Sequence, residues 1–310
     1  MKKKISLIFG ASGQDGSLMA NLLKNKGYKV LAISRAGKKK NFNRLEITKD
    51  IKVIKLDIYN KSKVEKIIKN SKCSEIYYFA GQSSLPLSFF KEIETFKSHN
   101  LPLFNILYSV AKLQKKIKIF NACSGLIYNH KEKIINESSE LNPHSPYGFS
   151  KLVSFLMVKY FRENHNLWCC SGLFFNHESF LRPDNYLIPK IVNFLKNTKK
   201  KIEFGNINVS KDWGWAPEYM EIVHKILKKK IPKDLIIATG KTAKIKNVLK
   251  IAFLKKGLNW KKFVKINKKY LRKKDTTVNK IDISQLKKHI GHKPKIAINE
   301  ILDLMLNEKI

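Results

Sequence analysis

Short apolar runs alternate with amphipathic segments through the first half of the chain. The runs ISLIF, YKVLAIS, VIKLD, EIYYFAG and IKIFNACS are separated by stretches of helical periodicity, the first of which covers Ser17 to Lys26. Buried strands that alternate with helices are typical of βαβ units, in which helices cover both faces of a parallel sheet. The pattern therefore predicts an α/β fold with a doubly wound parallel sheet.

The regular alternation ends near residue 176. Before that point, Tyr147 to Asn164 has the pattern of a long helix and WCCSGLFFN that of the next buried strand. After it, prolines and short polar loops interrupt the pattern. We predict a first domain over residues 1–170 and a smaller, mixed second domain over residues 171–310, from which some segments return to the first sheet.

Length and composition indicate a folded chain with a large core. The 310 residues are 43% hydrophobic and 28% charged, which suffices for one large domain or two unequal ones. No apolar run reaches the roughly 18 residues of a membrane span, and the apolar run after MKKK is too short for a signal peptide. We expect no membrane partner and a cytoplasmic location.

The chain is strongly basic, with a formal net charge of +38. Such an excess ordinarily indicates nucleic-acid binding, because a basic face attracts phosphates. Here the lysines are spread along the chain, with neither an aromatic stacking platform nor an arginine-rich helix beside the KKK triplets. We therefore favour solvated surface lysines over a nucleic-acid partner. An anionic substrate such as a sugar nucleotide explains part of the excess.

The four cysteines show no metal-ligand spacing, so the sequence predicts no metal site. Two of them are adjacent and alternate sides on a predicted strand. We interpret all four as small buried residues in a reducing compartment. They are Cys73, Cys123, Cys169 and Cys170.

A glycine-rich loop, GASGQDG, follows the first predicted strand and precedes the first helix. Gly10, Gly13 and Gly16 permit a tight turn and let backbone N–H groups approach a pyrophosphate, whose charge is favoured at a helix N-terminus. Three glycines alone are a modest signal. At the first strand-to-helix crossover of a doubly wound sheet, they predict a dinucleotide site.

The end of the second strand bears on the choice of dinucleotide. In NAD-selective folds an acidic residue there hydrogen-bonds the ribose 2′-hydroxyl, whereas this strand ends in Arg35. A guanidinium suits a 2′-phosphate through bidentate contacts, so the sequence favours NADP over NAD. Asp57, at the end of VIKLD, is placed to face the adenine amino group. An exposed arginine and a strand-end cap are the alternative interpretations.

Three polar residues form a candidate catalytic centre. Tyr147 and Lys151 have the spacing Tyr-x-x-x-Lys, which puts both side chains on one helix face, and Ser124 ends the strand IKIFNACS. In hydride chemistry on a carbinol, a tyrosine exchanges the hydroxyl proton, a nearby ammonium lowers the pKa of that tyrosine, and a serine holds the substrate oxygen. Together with the glycine loop, the three residues predict such a centre.

Motifs along the chain carry a family resemblance. They are GASGQDGS, FAGQSS followed by SFF, HSPYGFSK, YFRENHNL, FFNHES and DWGWAPEYME, between about Lys4 and Met305. They resemble those of the GDP-mannose 4,6-dehydratase family, a group of extended short-chain dehydrogenases/reductases. The resemblance implies an NADP-binding Rossmann domain over residues 1–170, a substrate-binding domain over 171–310 that closes over GDP-mannose, and a homodimer or homotetramer.

The resemblance also implies roles for individual residues. It implies contact with NADP for Gly10, Gly13, Gln14, Asp15, Gly16, Arg35, Asp57, Ala80, Gln82, Ser84, Tyr147, Lys151 and His177. It implies contact with the nucleotide sugar for Asn176, Lys190, Lys211 and Arg272. Lys211 replaces the usual arginine of the motif RDWG, which weakens a bidentate grip. An ordinary surface residue is the alternative for each of the last four.

One position departs from the family pattern. Dehydration moves a hydride from C4 to NADP, eliminates water across C5 and C6, and returns the hydride to C6. Elimination needs a base for the C5 proton and an acid for the C6 hydroxyl. The family places a glutamate for this step two residues after the active-site serine or threonine, and here that position is Leu126. Either another acid, such as Glu137 or Glu178, has taken over, or elimination has been abandoned.

Three functions therefore remain open. The first is a dehydratase-like enzyme that converts GDP-mannose to GDP-4-keto-6-deoxymannose. The second is an NADPH-dependent reductase or epimerase of a GDP-4-keto-6-deoxy sugar, for which a tyrosine, a lysine and a serine suffice. The third is a noncatalytic NADP-binding regulator. The family's assembly segment corresponds to RAGKKKNFNRLE, which lacks the usual start, so the size of the oligomer is also open.

Overall fold

The computed structural model describes residues 3–197, 200–271 and 275–307. These residues form two compact units that are interleaved along the chain. The first comprises the residues up to Tyr128, Glu140–Phe174 and Met220–Ile236. The second comprises Asn129–Ser139, Phe175–Tyr219 and the residues from Ile237 onward. The assignment of NADP to residues 1–170 and of substrate to residues 171–310 stays a prediction.

The regular elements of the described residues follow in chain order. The strands are β1 (Ile5–Phe9), β2 (Lys29–Ser34), β3 (Lys52–Lys55), β4 (Glu75–Tyr78), β5 (Lys118–Ser124), β6 (Cys169–Phe174), β7 (Asn176–Glu178), β8 (Ile202–Phe204), β9 (Ser210–Trp215), β10 (Leu235–Ile237), β11 (Thr242–Lys244) and β12 (Val264–Ile266). The α-helices are α1 (Gln14–Asn25), α2 (Lys40–Arg44), α3 (Lys61–Ser71), α4 (Leu85–Ser88), α5 (Glu92–Lys112), α6 (Pro146–Asn164), α7 (Leu187–Asn197), α8 (Ala216–Leu227), α9 (Ile245–Leu254), α10 (Trp260–Phe263), α11 (Ser284–Ile290) and α12 (Ile298–Asn307).

A seven-stranded sheet forms the centre of the first unit, in the order β10-β6-β5-β4-β1-β2-β3. β1 pairs in parallel with both β2 and β4, and β3, β5 and β6 continue the parallel pairing outward. The chain therefore winds in both directions from β1, which is the arrangement of a doubly wound sheet. The predicted α/β fold is confirmed.

The central strands are apolar on both faces because helices cover both sides of the sheet. Ile8, Ile76 and Phe120 have no exposed surface. On one face, Ile68 of α3 and Leu107 of α5 belong to a continuous buried cluster with the strands. Burial of each such side chain contributes about 1.5–3 kcal/mol, so the apolar runs in the sequence determine where the sheet lies.

Helix α5 contains a proline in its interior, Pro102. Proline has no N–H, so the carbonyl of Ser98, four residues earlier, receives no helical hydrogen bond from that position. The buried hydroxyl of Tyr78 lies 3.0 Å from the carbonyl oxygens of Ser98 and of His99 and acts as the donor there. A side chain of β4 thus completes the hydrogen bonding of this helix turn.

The amino ends of β4 and β5 are tied to the residues at the end of α8. Glu75 is 4% exposed and accepts hydrogen bonds from the Tyr77 hydroxyl at 2.7 Å and from the Lys228 ammonium at 2.6 Å. The Lys118 ammonium donates to the carbonyl oxygen of Leu227 at 2.8 Å. The buried carboxylate is therefore balanced by a cation and by a hydroxyl at this edge of the sheet.

The second unit has small sheets and an apolar core of its own. β9 pairs in parallel with β7 and antiparallel with β11, and β8 pairs in parallel with β12. Ile191 of α7, Phe253 of α9 and Ile301 of α12 meet in one buried cluster. This mixed unit confirms the smaller mixed domain of the predicted fold. Among the helices of the described residues, none has the length and apolar character that crossing a bilayer requires.

Candidate active site

The glycine loop lies between β1 and α1 and has room only for glycine at two positions. Gly10 has a φ of +79°, and a Cβ atom there would lie 2.6 Å from the backbone nitrogen of Ala80. A Cβ atom on Gly16 would overlap the carbonyl oxygen of Gly10. Gly13 is the N-cap of α1. The loop thus presents bare backbone at a helix N-terminus, which fits a pyrophosphate.

Arg35 and Asp57 lie exposed beyond the ends of β2 and β3. The Ser34 hydroxyl donates to the Ser12 hydroxyl at 3.2 Å, which joins the end of β2 to the glycine loop. One carboxylate oxygen of Asp57 accepts from the backbone N–H of Tyr59 at 3.0 Å. Arg35 thus follows a strand end that contacts the loop, while Asp57 makes the local cap that was the alternative interpretation.

Helix α6 carries Tyr147 and Lys151 one turn apart. The helix begins at Pro146, and the Ser145 side chain caps its first turn. The four-residue spacing places the Lys151 ammonium 5.8 Å from the centre of the Tyr147 ring. The predicted pair is therefore brought together on one helix face.

Lys151 is a buried cation with one backbone acceptor beside it. The residue is 6% exposed, and its ammonium donates to the carbonyl oxygen of Ala122 in β5 at 2.7 Å. Burial lowers the pKa of Lys151 to about 8, against the opposing influence of Cys123 and of the Asp15 carboxylate. Because Asp15 stands in the first turn of α1, its effect on Lys151 puts the glycine loop and the Tyr–Lys pair in one neighbourhood.

Ser124 ends β5 at the same edge of the sheet and is 6% exposed. Its hydroxyl oxygen accepts a hydrogen bond from the backbone N–H of Leu126 at 3.2 Å. The Leu126 side chain is half-buried, and its carbonyl oxygen lies 2.6 Å from where a Cβ on Gly148 of α6 would stand. The position two residues after Ser124 thus carries an apolar side chain that transfers no proton.

His99 of α5 reaches this edge as well, although sequence reasoning did not identify it. Its ring centre lies 5.4 Å from that of Tyr147, with the two planes at 82°. Burial, together with the charge of Lys151, lowers the pKa of the imidazole well below its usual value. A histidine in mid-helix has no local spacing that relates it to Tyr147, so only the folded contact reveals it.

The loop after β4 contains Ala80, Gln82 and Ser84, the residues predicted to lie on the nicotinamide side. The Gln82 amide donates to the carbonyl oxygen of Ser84 at 2.9 Å and to the hydroxyl of Thr95 at 3.2 Å. The backbone N–H of Ser84 donates to the Gln82 amide oxygen. The loop is therefore held in one conformation, with Ala80 against Gly10.

The second unit carries the remaining predicted site residues on adjacent strands. Asn176 and His177 lie on β7 and Lys211 on β9. The His177 ring stacks on Tyr219 at 5.0 Å between centres. The Lys211 ammonium donates to the carbonyl and hydroxyl oxygens of Thr276 at 2.6 and 2.7 Å. Parallel pairing of β7 with β9 brings Asn176, His177 and Lys211 onto one small sheet.

Lys190 of α7 is half-buried among aromatic side chains. Its ammonium lies 4.9 Å from the centre of the Phe204 ring and 5.3 Å from that of Tyr270, and it donates to the carbonyl oxygen of Glu203 at 2.6 Å. Burial lowers the pKa of this lysine. Contact with two aromatic faces favours the cationic form of this side chain and opposes the effect of burial. Arg272, the fourth residue predicted to contact the sugar nucleotide, lies outside the described residues.

Glu137 and Glu178, the two acids that the sequence offers as alternatives to the family's glutamate, belong to the second unit. Glu178 is 3% exposed and pairs with Arg182 at 3.7 Å, and Glu137 is half-buried. Ser124, Tyr147 and Lys151 all belong to the first unit. Within the residues that the structure describes, no group of three or more His, Cys, Asp or Glu is arranged to hold a metal.

A glycine loop at the first crossover, with Ser124, Tyr147 and Lys151 at one edge of a doubly wound sheet, defines an extended short-chain dehydrogenase/reductase fold. Solved structures of this class share it. UDP-glucose 4-epimerase of Thermotoga maritima matches with a TM-score of 0.88, 19% identity and 97% of each chain covered. dTDP-glucose 4,6-dehydratase of Bacillus anthracis, in complex with NAD, matches with a TM-score of 0.85, 18% identity and coverage of 98% and 95%.

The chain belongs to the GDP-mannose 4,6 dehydratase family, whose model matches residues 7–305. GDP-mannose 4,6 dehydratase 1 of Arabidopsis thaliana is 30% identical over 99% of this chain and 90% of its own length. GDP-mannose 4,6 dehydratase of Homo sapiens is 28% identical over 99% of this chain and 92% of its own length. The family resemblance of the motifs is thereby confirmed.

Proposed function

We propose that the chain is an NADP-dependent enzyme that oxidises or reduces C4 of a GDP-linked sugar, with the family's dehydratase reaction as its first candidate activity. The observation that carries this proposal is the Tyr147–Lys151 pair at the edge of the sheet where Ser124 and the glycine loop lie. Membership in the GDP-mannose 4,6 dehydratase family supports the substrate class. The bare backbone of the glycine loop supports a dinucleotide.

The roles of the side chains follow from their chemistry. The bound nicotinamide supplies the acceptor and donor of the hydride. The Tyr147 phenolate would take the proton from the C4 hydroxyl as oxidation proceeds, and the resulting phenol would return a proton to the C4 oxygen on reduction. Lys151 stabilises the phenolate by its charge and is fixed by the Ala122 carbonyl. Ser124 donates a hydrogen bond to the C4 oxygen and holds it in place.

The remaining ligand contacts are proposed residue by residue. For the cofactor, they involve Gly10, Gly13, Gln14, Asp15, Gly16, Arg35, Asp57, Ala80, Gln82, Ser84 and His177. For the nucleotide sugar, they involve Asn176, Lys190, Lys211 and Arg272. Support for the second set comes from Asn176 and Lys211, which lie on one small sheet, and from Lys190 in the same unit, each with a polar or cationic side chain.

The assignment of NADP rather than NAD as the cofactor rests on Arg35, whose side chain is exposed after β2. We expect Arg35→Leu to weaken NADPH binding by on the order of tenfold or more, because a charge-assisted pair to the 2′-phosphate is lost. NADH binding, which has no such phosphate, changes little. Fluorescence titration with both cofactors measures this, and equal losses for NADH and NADPH count against the assignment.

Leu126 favours a second candidate function. With no carboxyl group two residues after Ser124, the usual base and acid of the elimination step are missing, which typically lowers a rate by about a hundred- to ten-thousand-fold. An NADPH-dependent reductase or epimerase of a GDP-4-keto-6-deoxy sugar needs only Tyr147, Lys151 and Ser124. A protein that binds the cofactor but turns over no sugar would be the third candidate, a noncatalytic NADP-binding regulator.

A product assay separates these functions. The purified protein is incubated with GDP-mannose and NADP, and separately with a GDP-4-keto-6-deoxy sugar and NADPH. A 4-keto-6-deoxy product supports the dehydratase, turnover of the keto-sugar alone supports the reductase or epimerase, and cofactor binding without turnover supports the regulator. Retention on heparin that falls steeply with salt, without any of these, would support a nucleic-acid binder instead.

Leu126→Glu is the companion variant. We expect it to create or raise dehydratase activity, because it restores a carboxyl group beside Ser124. Leu126→Gln is the matched control, since glutamine has the same shape as glutamate but no ionisable group. An unchanged product and rate in Leu126→Glu, with the fold intact, contradicts the role assigned to this position.

We also propose that the protein is cytoplasmic and assembles as a homodimer or homotetramer. Support for assembly comes from exposed aromatic side chains on α5 and α6, where Phe104, Phe149 and Tyr160 are 40%, 52% and 54% exposed. In so basic a chain, an apolar face of this kind is where two copies associate with least repulsion. Light scattering during gel filtration measures the mass, and a monomer at micromolar concentration contradicts this part.

A further inference from the structure

His99 lies between the two parts of the candidate site in the first unit. On one side its ring contacts the ring of Tyr147 at 5.4 Å between centres. On the other side its Nε2 atom lies 2.8 Å from the carbonyl oxygen of Gln82. Because a carbonyl only accepts, Nε2 carries the proton and donates. One imidazole therefore joins the loop after β4 to the tyrosine of α6.

The fit of this ring depends on a glycine. Gly81 has a φ of +142°, and a Cβ atom there would overlap Nδ1 and Cε1 of His99. His99 is itself 2% exposed, so the ring fills its place against the loop without a gap. A ring packed this closely against the backbone confines on that side the Tyr147 ring that it contacts.

The helix turn that carries His99 is also fixed. Because of Pro102, this turn lacks a helical donor, and the Tyr78 hydroxyl occupies the gap at the Ser98 and His99 carbonyls. The Ser98 hydroxyl oxygen accepts the backbone N–H of Gln82 at 3.0 Å. The loop after β4 is thus attached to two successive residues of α5, which sets the direction of the His99 side chain.

The charge state of the ring suits a positioning role. Burial and the charge of Lys151 keep the imidazole neutral, and Cys123 and Asp15 act in turn on Lys151. A neutral ring leaves Lys151 as the cation beside Tyr147, whereas a second cation would compete with it. His99 therefore confines Tyr147 by packing and does not itself exchange the proton.

We propose that His99 is a positioning residue, whose ring holds the Tyr147 ring in register with Lys151. The role depends on the proposed function, because it requires Tyr147 to be the group that exchanges the proton. His99 acts through the tyrosine and touches neither of the proposed ligands in this scheme.

Two variants separate the ring contact with Tyr147 from the hydrogen bond to the Gln82 carbonyl. His99→Gln keeps an amide donor for the Gln82 carbonyl and removes the ring against Tyr147. His99→Phe keeps the ring and removes the donor. We expect His99→Gln to lower kcat by about tenfold or more, with KM for the sugar within about twofold, and His99→Phe to stay within about threefold in kcat. The reverse order of the two effects overturns the proposal.

A double-mutant cycle tests whether the effect passes through Tyr147. In a Tyr147→Phe background, we expect His99→Gln to change the residual rate by less than about twofold, because the group through which it acts has gone. Equal losses in both backgrounds indicate general loosening of the fold and overturn the proposal. Thermal unfolding and near-ultraviolet circular dichroism establish that each variant is folded, and His99→Phe supplies the folded comparison.

A titration without sugar or cofactor separates this proposal from the proposed function. Tyrosinate absorbance of the wild type minus that of Tyr147→Phe gives the pKa of Tyr147 alone. We expect this pKa to lie below the ordinary value of about 10, because the nearby ammonium of Lys151 lowers it. In His99→Gln we expect the pKa to return toward 10 as the Tyr147 ring relaxes away from Lys151. An ordinary value in the wild type contradicts the proposed function. A displaced value that His99→Gln leaves unchanged overturns the role of His99 alone.

Discussion

At the amino edge of the seven-stranded sheet, the buried Glu75 is matched by the Lys228 ammonium and the Tyr77 hydroxyl. At the carboxyl edge of the same sheet, the buried Lys151 has a backbone carbonyl as its acceptor, and its pKa falls to about 8. Both edges bury charge, but the first is balanced by an opposite charge in direct contact. An unbalanced buried cation beside a tyrosine is typical of a reactive centre, whereas a balanced cluster is typical of structure.

Lys151→Met removes the buried cation from the carboxyl edge of the sheet. We expect kcat to fall by about a hundred- to ten-thousand-fold, because the tyrosine loses its cation. We also expect no loss in the free energy of unfolding at pH 7, since a cation that burial disfavours is removed. Steady-state kinetics and urea unfolding measure the two effects. Activity retained together with lost stability would make this edge structural as well.

The pH dependence of stability reports on the same buried cation. The pKa of Lys151 is about 8 in the folded state and about 10.4 in the unfolded chain, so the unfolded state binds more protons between these values. Stability therefore rises with pH across this window, by about 3 kcal/mol from this group. We expect the wild type to gain this much relative to Lys151→Met between pH 8 and pH 10.5. A constant difference contradicts the low pKa.

Glu75→Gln tests the balanced edge. We expect the free energy of unfolding to fall by about 2 kcal/mol, because Lys228 loses its counter-charge and the buried cluster loses an acceptor. We expect kcat to stay within twofold, since the residue stands at the opposite end of β4 from the loop that carries Gln82. Urea unfolding and the product assay measure both. A large loss of activity in a folded variant removes the distinction between the edges.

The proline in α5 makes the Ser98 carbonyl depend on the Tyr78 hydroxyl for a hydrogen bond. Tyr78→Phe removes the hydroxyl that serves the Ser98 carbonyl, and we expect a loss of about 1 kcal/mol in the free energy of unfolding. Pro102→Ala, which restores a helical donor, should recover that loss in the Tyr78→Phe background. Urea unfolding of the four proteins of the cycle gives the coupling. Strict additivity of the two substitutions contradicts the shared role.

Local sequence patterns were sufficient to predict the fold. They were not sufficient to predict the contacts between residues that are distant in sequence. The apolar runs predicted the strands because parallel strands are buried on both faces, and the spacing of Tyr147 and Lys151 follows from the helix period alone. Helix α1 begins at Gln14 rather than near Ser17, because Gly13 rather than Gly16 is its N-cap. The roles of the individual site residues remain predictions.

His99 and β10 show where sequence reasoning ended. His99 meets Tyr147 only because α5 and α6 pack against each other. β10 lies beside β6 although the whole stretch from β7 to α8 separates them in sequence. No local periodicity encodes either pairing, since each depends on the route of the chain through the fold.

The interleaving of the two units has a consequence for synthesis on the ribosome. Phe174 completes β6, which pairs with β5 on one side. The strand on its other side, β10, ends only at Ile237. Until that later segment emerges, a nascent chain displays a strand with one open side and a core without the second half of α8. Fragments that stop near residue 170 are therefore poor candidates for separate expression, and a chaperone that shields open strand edges would assist the whole chain most during this interval.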